Sequence, residues 1–148
     1  MPAISVIDDI IIKAPSQLIF DVIADYNNFN SWCPDYNCEI QGTDRISEGV
    51  QVFHCLGKPP FKTEFIREIK YLEAPKRIDE AYVSGPLIGI GSWILTEEEV
   101  GTRVAYDCNV DGIGIFMKLA IKSFGTSSHS KIYNNILNSL KSYCEEKN

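Results

Sequence analysis

Apolar and polar positions in the first quarter of the chain predict one strand and two short helices. Six of residues 4–13 are isoleucine or valine, which is typical of a strand, and Asp8 and Asp9 interrupt this apolar run. Residues 16–24 repeat apolar side chains at helical spacing directly after Pro15, a residue that suits the first turn of a helix. Residues 29–32 fit one further helical turn, which Pro34 prevents from continuing.

The central part of the chain alternates apolar and polar residues, and glycine and proline mark turns at regular intervals. This pattern predicts about six antiparallel strands: residues 38–43, 49–56, 61–72, 77–84, 89–96 and 102–111. From Ile115 onward the apolar residues recur every three or four positions, which predicts a long C-terminal helix. We therefore expect an α+β fold in which an antiparallel sheet of about seven strands packs against one long helix.

Residues 125–128 (Gly-Thr-Ser-Ser) interrupt the C-terminal helical pattern. They form either a kink or a loop between a short leading helix (residues 115–124) and the main helix. Beside an internal cavity, this break would act with residues 85–89 and 113–114 as an entrance for a ligand. The sequence leaves the kink and the loop as alternatives.

Strand alternation identifies polar side chains that face the predicted core. One face of residues 61–72 carries most of the charge, so the opposite face is expected to point inward. Its members are Phe61, Thr63, Phe65, Arg67, Ile69 and Tyr71. By the same rule His54, Tyr82 and Tyr106 point inward from their own strands. A buried arginine without a partner is very costly, so an inward Arg67 needs a carboxylate or the polar group of a ligand.

Each inward polar residue has a structural interpretation beside the functional one. Arg67 contacts a ligand, pairs with Glu64 or Asp79, or keeps its charged end in water at the rim. His54 is either a hydrogen-bonded structural residue or a general base. The inward tyrosines either satisfy their hydroxyls on the backbone or orient a ligand. The two tryptophans, at positions 32 and 93, belong either to the core or to a platform for a ligand.

Composition and charge narrow the class of protein. The 148 residues fit a single domain, 1–148. A net charge of −6 argues against nucleic acid as a partner, because phosphate binding needs clustered lysine and arginine. No segment is apolar enough for stable membrane insertion, and no secretory signal precedes the first strand. Five cysteines without such a signal are typical of reduced thiols, so we expect a cytoplasmic protein. The expected oligomeric state is a monomer or a homodimer.

No motif in the sequence indicates a metal or nucleotide cofactor, and we expect neither. The cysteine and histidine spacings differ from those of structural zinc sites, and neither a phosphate-binding glycine loop nor a nucleophile elbow occurs. Gly89 and Gly91 lack the third glycine of a dinucleotide site and lie in a strand, which favours a bend in the sheet. His54 and Cys55 are adjacent on a strand and face opposite sides, which argues against a catalytic cysteine–histidine pair. We assign no catalytic residue.

Three segments carry a resemblance to a known family. The first two are residues 12–20 (Ile-Lys-Ala-Pro-Ser-Gln-Leu-Ile-Phe) and residues 25–34 (Asp-Tyr-Asn-Asn-Phe-Asn-Ser-Trp-Cys-Pro). The third combines residues 85–87 (Gly-Pro-Leu), Trp93 and residues 101–106. In this order they resemble the START-like (SRPBCC) superfamily, in the branch of polyketide cyclases, dehydratases and coenzyme Q-binding proteins. Leucine follows Gly-Pro here, where the coenzyme Q-binding branch has phenylalanine.

The resemblance implies a helix-grip fold, in which a strongly bent antiparallel sheet wraps around the long C-terminal helix and two short helices follow the first strand. It also implies an apolar cavity that binds, transports or sequesters a hydrophobic small molecule such as a lipid, an isoprenoid or a polyketide. The predicted ligand-binding residues are Trp32, His54, Phe65, Arg67, Tyr82, Trp93, Tyr106, Phe116 and Ile132.

Two other functions stay open from the sequence. The chain could be a cyclase or dehydratase in which Arg67 or a tyrosine polarises a carbonyl group and His54 acts as the base. It could also be a protein-interaction module, which would have a filled core and an exposed apolar patch. Ligand binding is favoured over catalysis because the sequence contains no clear acid–base pair.

Overall fold

The computed structural model describes residues 3–148, apart from the side chain of residue 124. The strands are β1 (Ile4–Ile12), β2 (Tyr36–Ile40), β3 (Gln51–Leu56), β4 (Thr63–Glu73), β5 (Arg77–Ser84), β6 (Leu87–Glu98) and β7 (Gly101–Gly112). The helices are α1 (Ser16–Ala24), a 3₁₀ helix (Tyr26–Ser31), α2 (Ile115–Ala120) and α3 (Thr126–Lys147), and a π-helical turn (Ile121–Gly125) joins α2 to α3. Among the described residues, none of the helices combines the length and apolarity needed to cross a bilayer.

All seven strands form one antiparallel sheet in the order β1-β7-β6-β5-β4-β3-β2. The strand that begins the chain therefore pairs with the last strand, while β2 forms the opposite edge. The long helix α3 packs across the sheet, and Lys141 on α3 donates a hydrogen bond to the carbonyl oxygen of Ile11 on β1 at 3.1 Å. This arrangement confirms the helix-grip fold that was expected from the sequence.

Alternation along the strands decides which side chains enter the core. On β7, the residues that share the parity of Val104 are all buried, as predicted from the sequence. The side that α3 turns toward the sheet repeats at helical spacing and is also buried. Its members are Tyr133, Ile136, Leu137, Leu140 and Cys144.

The predicted inward face of residues 61–72 is correct only in its middle. Phe65, Arg67 and Ile69 are buried, but the pairing of β4 with β5 shifts register between Ile69 and Tyr71. Because side chains alternate with a period of two, this shift moves the following residues to the opposite faces. Tyr71 is consequently 41% exposed. Phe61 lies in the turn before β4 and is 88% exposed, so the prediction for both aromatic residues was wrong.

The interruption at residues 125–128 is not a loop. The chain stays helical from Ile115 to Lys147, and the irregularity is the π-helical turn that ends at Gly125. A Cβ atom at Gly125 would lie only 2.9 Å from Cγ2 of Ile121 and 3.2 Å from Cδ1 of Ile4. Glycine thus lets this turn approach β1 closely. π-Helical turns are often found at functional sites.

Candidate ligand-binding cavity

A cavity of about 310 Å³ lies between the sheet and the helical segment formed by α2, the π-helical turn and the start of α3. Most of its wall is apolar. The apolar lining residues are Ile4, Leu56, Phe65, Pro86, Leu87, Met117, Ala120, Ile121 and Ile132. The remaining lining residues are Tyr36, Thr63, Arg67, Tyr82, Gly125, Ser128, His129 and Tyr133. An apolar wall with a few polar groups is typical of a small-molecule site.

Arg67 is the only charged side chain among the described residues that line the cavity. It is 3% exposed, because its position on β4 turns it into the core. Its Nη2 donates hydrogen bonds to the hydroxyl oxygens of Tyr82 at 2.7 Å and Tyr133 at 3.0 Å. Tyr82 lies directly opposite Arg67 on β5, whereas Tyr133 comes from α3. The arginine therefore ties the sheet to the long helix at the cavity wall.

The counter-charge of Arg67 is Glu80, which lies on β5 and is completely buried. Oε1 of Glu80 lies 3.4 Å from Nη1 of Arg67. The Tyr26 hydroxyl donates to Oε2 of Glu80 at 2.6 Å, and the Tyr106 hydroxyl donates to Oε1 at 3.3 Å. Hydrogen bonds of this kind offset the cost of taking both charges out of water. The ion pair is thus completed behind the cavity wall by residues that do not line the cavity.

The hydroxyl groups of Tyr82 and Tyr133 are held protonated at the cavity wall. Burial raises the pKa of both groups above the ordinary value, although the positive charge of Arg67 acts in the opposite direction. Each hydroxyl oxygen accepts from Arg67, so its own O–H can donate to another acceptor. The cavity is thereby provided with uncharged donors that a neighbouring cation polarises.

Aromatic stacking fixes the orientation of these groups. The ring of Tyr133 stacks on the ring of Tyr106, with centroids 4.1 Å apart. The imidazole of His129 also stacks on Tyr133, with centroids 4.6 Å apart. Cζ of Arg67 lies 4.8 Å from the ring centroid of Phe65, within the range of a cation–π interaction. Side chains held on both faces in this way are restricted to one geometry.

His129 brings a second polar group to the cavity. Neither of its ring nitrogens has a hydrogen-bond partner among the described residues, and both atoms are buried. Burial lowers the pKa of His129 to about 4, and the positive charge of Arg67 acts in the same direction, whereas Asp8 raises it. At neutral pH the imidazole is therefore uncharged, with one nitrogen that donates and one that accepts. His129 lines the cavity, and its two nitrogens lie buried in the wall.

Comparison with known families accounts for this architecture. Residues 3–145 match the family model described as polyketide cyclase / dehydrase and lipid transport. The chain belongs to this family. A search of curated proteins found no match.

Solved structures with the same fold align with nearly the whole length of this family member. A START superfamily protein from Mycobacterium smegmatis is 14% identical, with a TM-score of 0.78 and coverage of 97% of this chain and 99% of that chain. The Zhui aromatase/cyclase from Streptomyces sp. R1128 is 14% identical, with a TM-score of 0.76 and coverage of 97% and 94%. The major latex-like protein 151 from Panax ginseng is 10% identical, with a TM-score of 0.77 and coverage of 95% and 96%. The START-like resemblance read from the sequence is confirmed, and at these identities the likeness concerns the fold.

In this family member, four of the nine predicted ligand-binding residues line the cavity: Phe65, Arg67, Tyr82 and Ile132. Trp93 and Tyr106 lie behind the wall, where their rings meet edge to face at 5.0 Å. Tyr106 donates to Glu80, so it supports the ion pair of Arg67. Strand alternation placed Tyr106 on the correct face but could not separate the lining from the layer beneath it.

His54 is also placed behind the wall. Its Nδ1 lies 2.8 Å from the Tyr36 hydroxyl oxygen, and its ring stacks on Phe65 with centroids 4.9 Å apart. Burial, together with the charge of Arg67, holds the pKa of His54 well below its ordinary value. His54 thus positions two lining residues, Tyr36 and Phe65, without lining the cavity itself, which favours the structural interpretation of this histidine.

Trp32 and Phe116 lie away from the cavity. Trp32 is buried directly after the 3₁₀ helix, against Phe29, with ring centroids 4.6 Å apart. Phe116 is 85% exposed on α2. Its neighbour Met117 faces the cavity instead, because successive residues of a helix point in different directions. The structure therefore brings neither of these two predicted residues to the lining of this cavity.

The sequence did not single out four residues that the structure brings to the site: Tyr36, Glu80, His129 and Tyr133. Glu80 has the same parity on β5 as Tyr82, so alternation was sufficient to place it inward. His129 and Tyr133 are four positions apart and belong to the helical pattern that predicted α3. Pairing of Arg67 with Glu64 or Asp79 was one of the alternatives left open by the sequence, but these carboxylates lie near Lys62 and Arg77 respectively.

Proposed function

We propose that this protein binds an apolar small molecule with one polar end, and that the cavity is its binding site. One observation carries the proposal: an apolar wall surrounds polar groups that converge on one side, namely Tyr82 and Tyr133 held by Arg67, and His129 beside them. The volume of about 310 Å³ lies at the lower end of the range for small-molecule sites, roughly 300–1,000 Å³. Burial of apolar surface would provide the affinity, and the polar groups would orient the ligand.

The family supports the same proposal. Its description combines polyketide cyclases and dehydrases with lipid transport, and all of these act on apolar molecules. Phe65 and Ile132 would contact the apolar part of the ligand, and Arg67 would act through the two tyrosines. The alternative of a protein-interaction module has less support, because it requires a filled core. Apolar side chains are nevertheless exposed on α2, at Ile115, Phe116 and Leu119.

Filling the cavity is the direct test of this proposal. We expect the fluorescent apolar probe N-phenyl-1-naphthylamine to bind the wild-type protein. Met117→Trp should weaken this binding at least about tenfold, because the larger side chain occupies the space that the ligand needs. The measurement is a fluorescence titration, with circular dichroism to check that the variant is folded.

Leu119→Trp is the matched control, since Leu119 lies on the same short helix, is 56% exposed and does not line the cavity. This variant should retain the wild-type affinity. If both substitutions weaken binding equally, the probe binds to the exposed face of α2 rather than to the cavity. If the wild-type protein does not bind the probe, the proposed function is wrong.

His129 favours a second candidate function, catalysis of a cyclase or dehydratase type. An uncharged imidazole with a free nitrogen could remove a proton from a carbon between two carbonyl groups. The electron pair of the broken C–H bond would move to the carbonyl oxygen, where the hydroxyls of Tyr82 and Tyr133 donate hydrogen bonds. In this scheme the base is His129, whereas the sequence analysis considered His54 for that role.

Proton exchange in benzoylacetone, a β-diketone, tests the second candidate. The wild-type protein should accelerate deuterium exchange at the carbon between the carbonyls above the rate in buffer, as followed by NMR. His129→Gln should reduce the rate to that of buffer while the apolar probe still binds. A wild-type rate equal to that of buffer would leave binding as the function.

A further inference from the structure

We infer that the cavity selects uncharged ligands, in which the polar end is a hydroxyl or carbonyl group, over carboxylates of the same size. This inference rests on the proposed function and specifies the class of its ligand. A single buried arginine in a cavity would ordinarily point to an anionic ligand. Three features of the site reverse that expectation.

The first feature is the charge balance. Arg67 is the only charged residue in the described part of the lining, and Glu80 neutralises it at 3.4 Å from a completely buried position. A ligand carboxylate would enter as a third, unpaired charge in an apolar cavity. Burial of an unpaired charge is strongly unfavourable, whereas a hydrogen-bonded neutral group is tolerated.

The second feature is the use of the guanidinium nitrogens. Carboxylates are best recognised by two parallel N–H groups of one arginine. Nη1 of Arg67 is directed to Glu80, and Nη2 donates to Tyr82 and Tyr133 at 2.7 and 3.0 Å. Among the guanidinium nitrogens only Nε lacks a partner, and it is buried, so the guanidinium does not present two parallel N–H groups to a ligand carboxylate. The ligand therefore meets tyrosine hydroxyls in place of a free guanidinium fork.

The third feature is His129, which contributes no positive charge at neutral pH because its buried ring stays unprotonated. An uncharged imidazole offers one donor and one acceptor, and both of its nitrogens are without partners in the described part of the chain. A hydroxyl group, which also donates and accepts, is complementary to this pair. A carboxylate can only accept, so it would leave the acceptor nitrogen unsatisfied.

A matched pair of ligands tests the inference. 2-Naphthol is neutral and 2-naphthoate is ionised at neutral pH, and the two molecules differ little in size. In displacement of N-phenyl-1-naphthylamine from the wild-type protein, we expect naphthol to bind at least about tenfold more tightly. In calorimetry near pH 5 in two buffers of different ionisation enthalpy, naphthoate should take up a proton as it binds, because the neutral acid is the form that fits.

Glu80→Gln separates charge selection from the ordinary hydration of a carboxylate. This substitution keeps the shape of the side chain but removes the charge that balances Arg67. It should shift the ratio of affinities by at least about tenfold toward naphthoate. If the variant does not fold, the two wild-type measurements decide the question.

The outcomes distinguish this inference from the proposed function on which it rests. If naphthoate binds the wild-type protein as tightly as naphthol, without proton uptake, the inference is overturned while the proposed function stands. An unchanged affinity ratio in folded Glu80→Gln also overturns it. If neither compound displaces the probe and the probe itself does not bind, the proposed function fails.

Discussion

Replacement of Glu80 by leucine should lower the free energy of unfolding by about 3–5 kcal/mol, the cost of leaving one partner of a buried ion pair unpaired. Arg67 is 3% exposed and would keep its charge without a carboxylate. Tyr26 and Tyr106 would at the same time lose the acceptor of their hydroxyl groups. Urea denaturation followed by circular dichroism measures this change directly.

The double variant Arg67→Met/Glu80→Leu should recover at least about half of that loss, since buried ion pairs are often no more stabilising than apolar residues of similar volume. Asp9→Asn is the control. Its ion pair with Arg103, at 2.7 Å, lies at the surface, so the substitution should cost less than about 1 kcal/mol. A Glu80→Leu variant as stable as Asp9→Asn, or a double variant less stable than the single one, would contradict this account.

The expected recovery bears on why the chain has an ion pair at this position. If apolar residues stabilise the fold nearly as well, stability does not explain the presence of Arg67 and Glu80. What the pair provides is a fixed position for the hydroxyl groups of Tyr82 and Tyr133, two lining residues that both accept from Arg67. This role is consistent with the proposed function and with selection of an uncharged ligand.

Strand alternation predicted the residues that the sheet contributes to the cavity wall, but it did not predict that Arg67 pairs with Glu80. Phe65 and Arg67 follow from parity on β4, and Tyr82 shares the parity of Ile78 and Glu80 on β5, because burial alternates along each strand there. This alternation holds although the pairing of the two strands also shifts register between Ile66 and Arg67. Glu80 obeys the same parity, yet carboxylates are mostly exposed, and pairing with Arg67 depends on the neighbouring strand. The register shift after Ile69 is likewise a property of the pair of strands, so no pattern within residues 61–72 could indicate it.

Gly91 shows another limit of inference from a single strand. The sequence favoured a bend in the sheet at this residue. In the structure, a Cβ atom at Gly91 would lie 1.9 Å from the Tyr106 hydroxyl oxygen. Glycine therefore leaves room for the hydroxyl group that donates to Glu80. The steric reason lies on another strand and cannot be read from local spacing.

The helical side of the cavity was also only partly predictable. Spacing alone predicted α3 and placed Tyr133 on the side that packs against the sheet. It did not predict that Gly125 would sit in a π-helical turn packed against β1, because that close contact joins the two ends of the chain. As a result, His129 could be assigned to a helix but not to the cavity.

Acidification should destabilise the protein through His129, by up to about 3 kcal/mol between pH 6.5 and pH 4. The unfolded chain binds a proton at this residue below about pH 6.5, whereas the folded chain does not until about pH 4. Protonation therefore favours the unfolded state within that window, and stability falls as the pH falls. Above pH 6.5 the residue contributes no pH dependence, and below about pH 4 the loss is complete.

His129→Gln isolates this effect, because the amide stays neutral throughout the range. The groups that act on His129, namely Arg67, Asp8 and the stacked ring of Tyr133, are unchanged in the variant, and so is the buried His54. Urea denaturation of both proteins at a series of pH values should give curves whose difference changes by up to about 3 kcal/mol between pH 6.5 and pH 4. Parallel curves would mean that the imidazole is protonated as easily in the folded cavity as in water, and the uncharged donor–acceptor pair assigned to His129 would have to be abandoned.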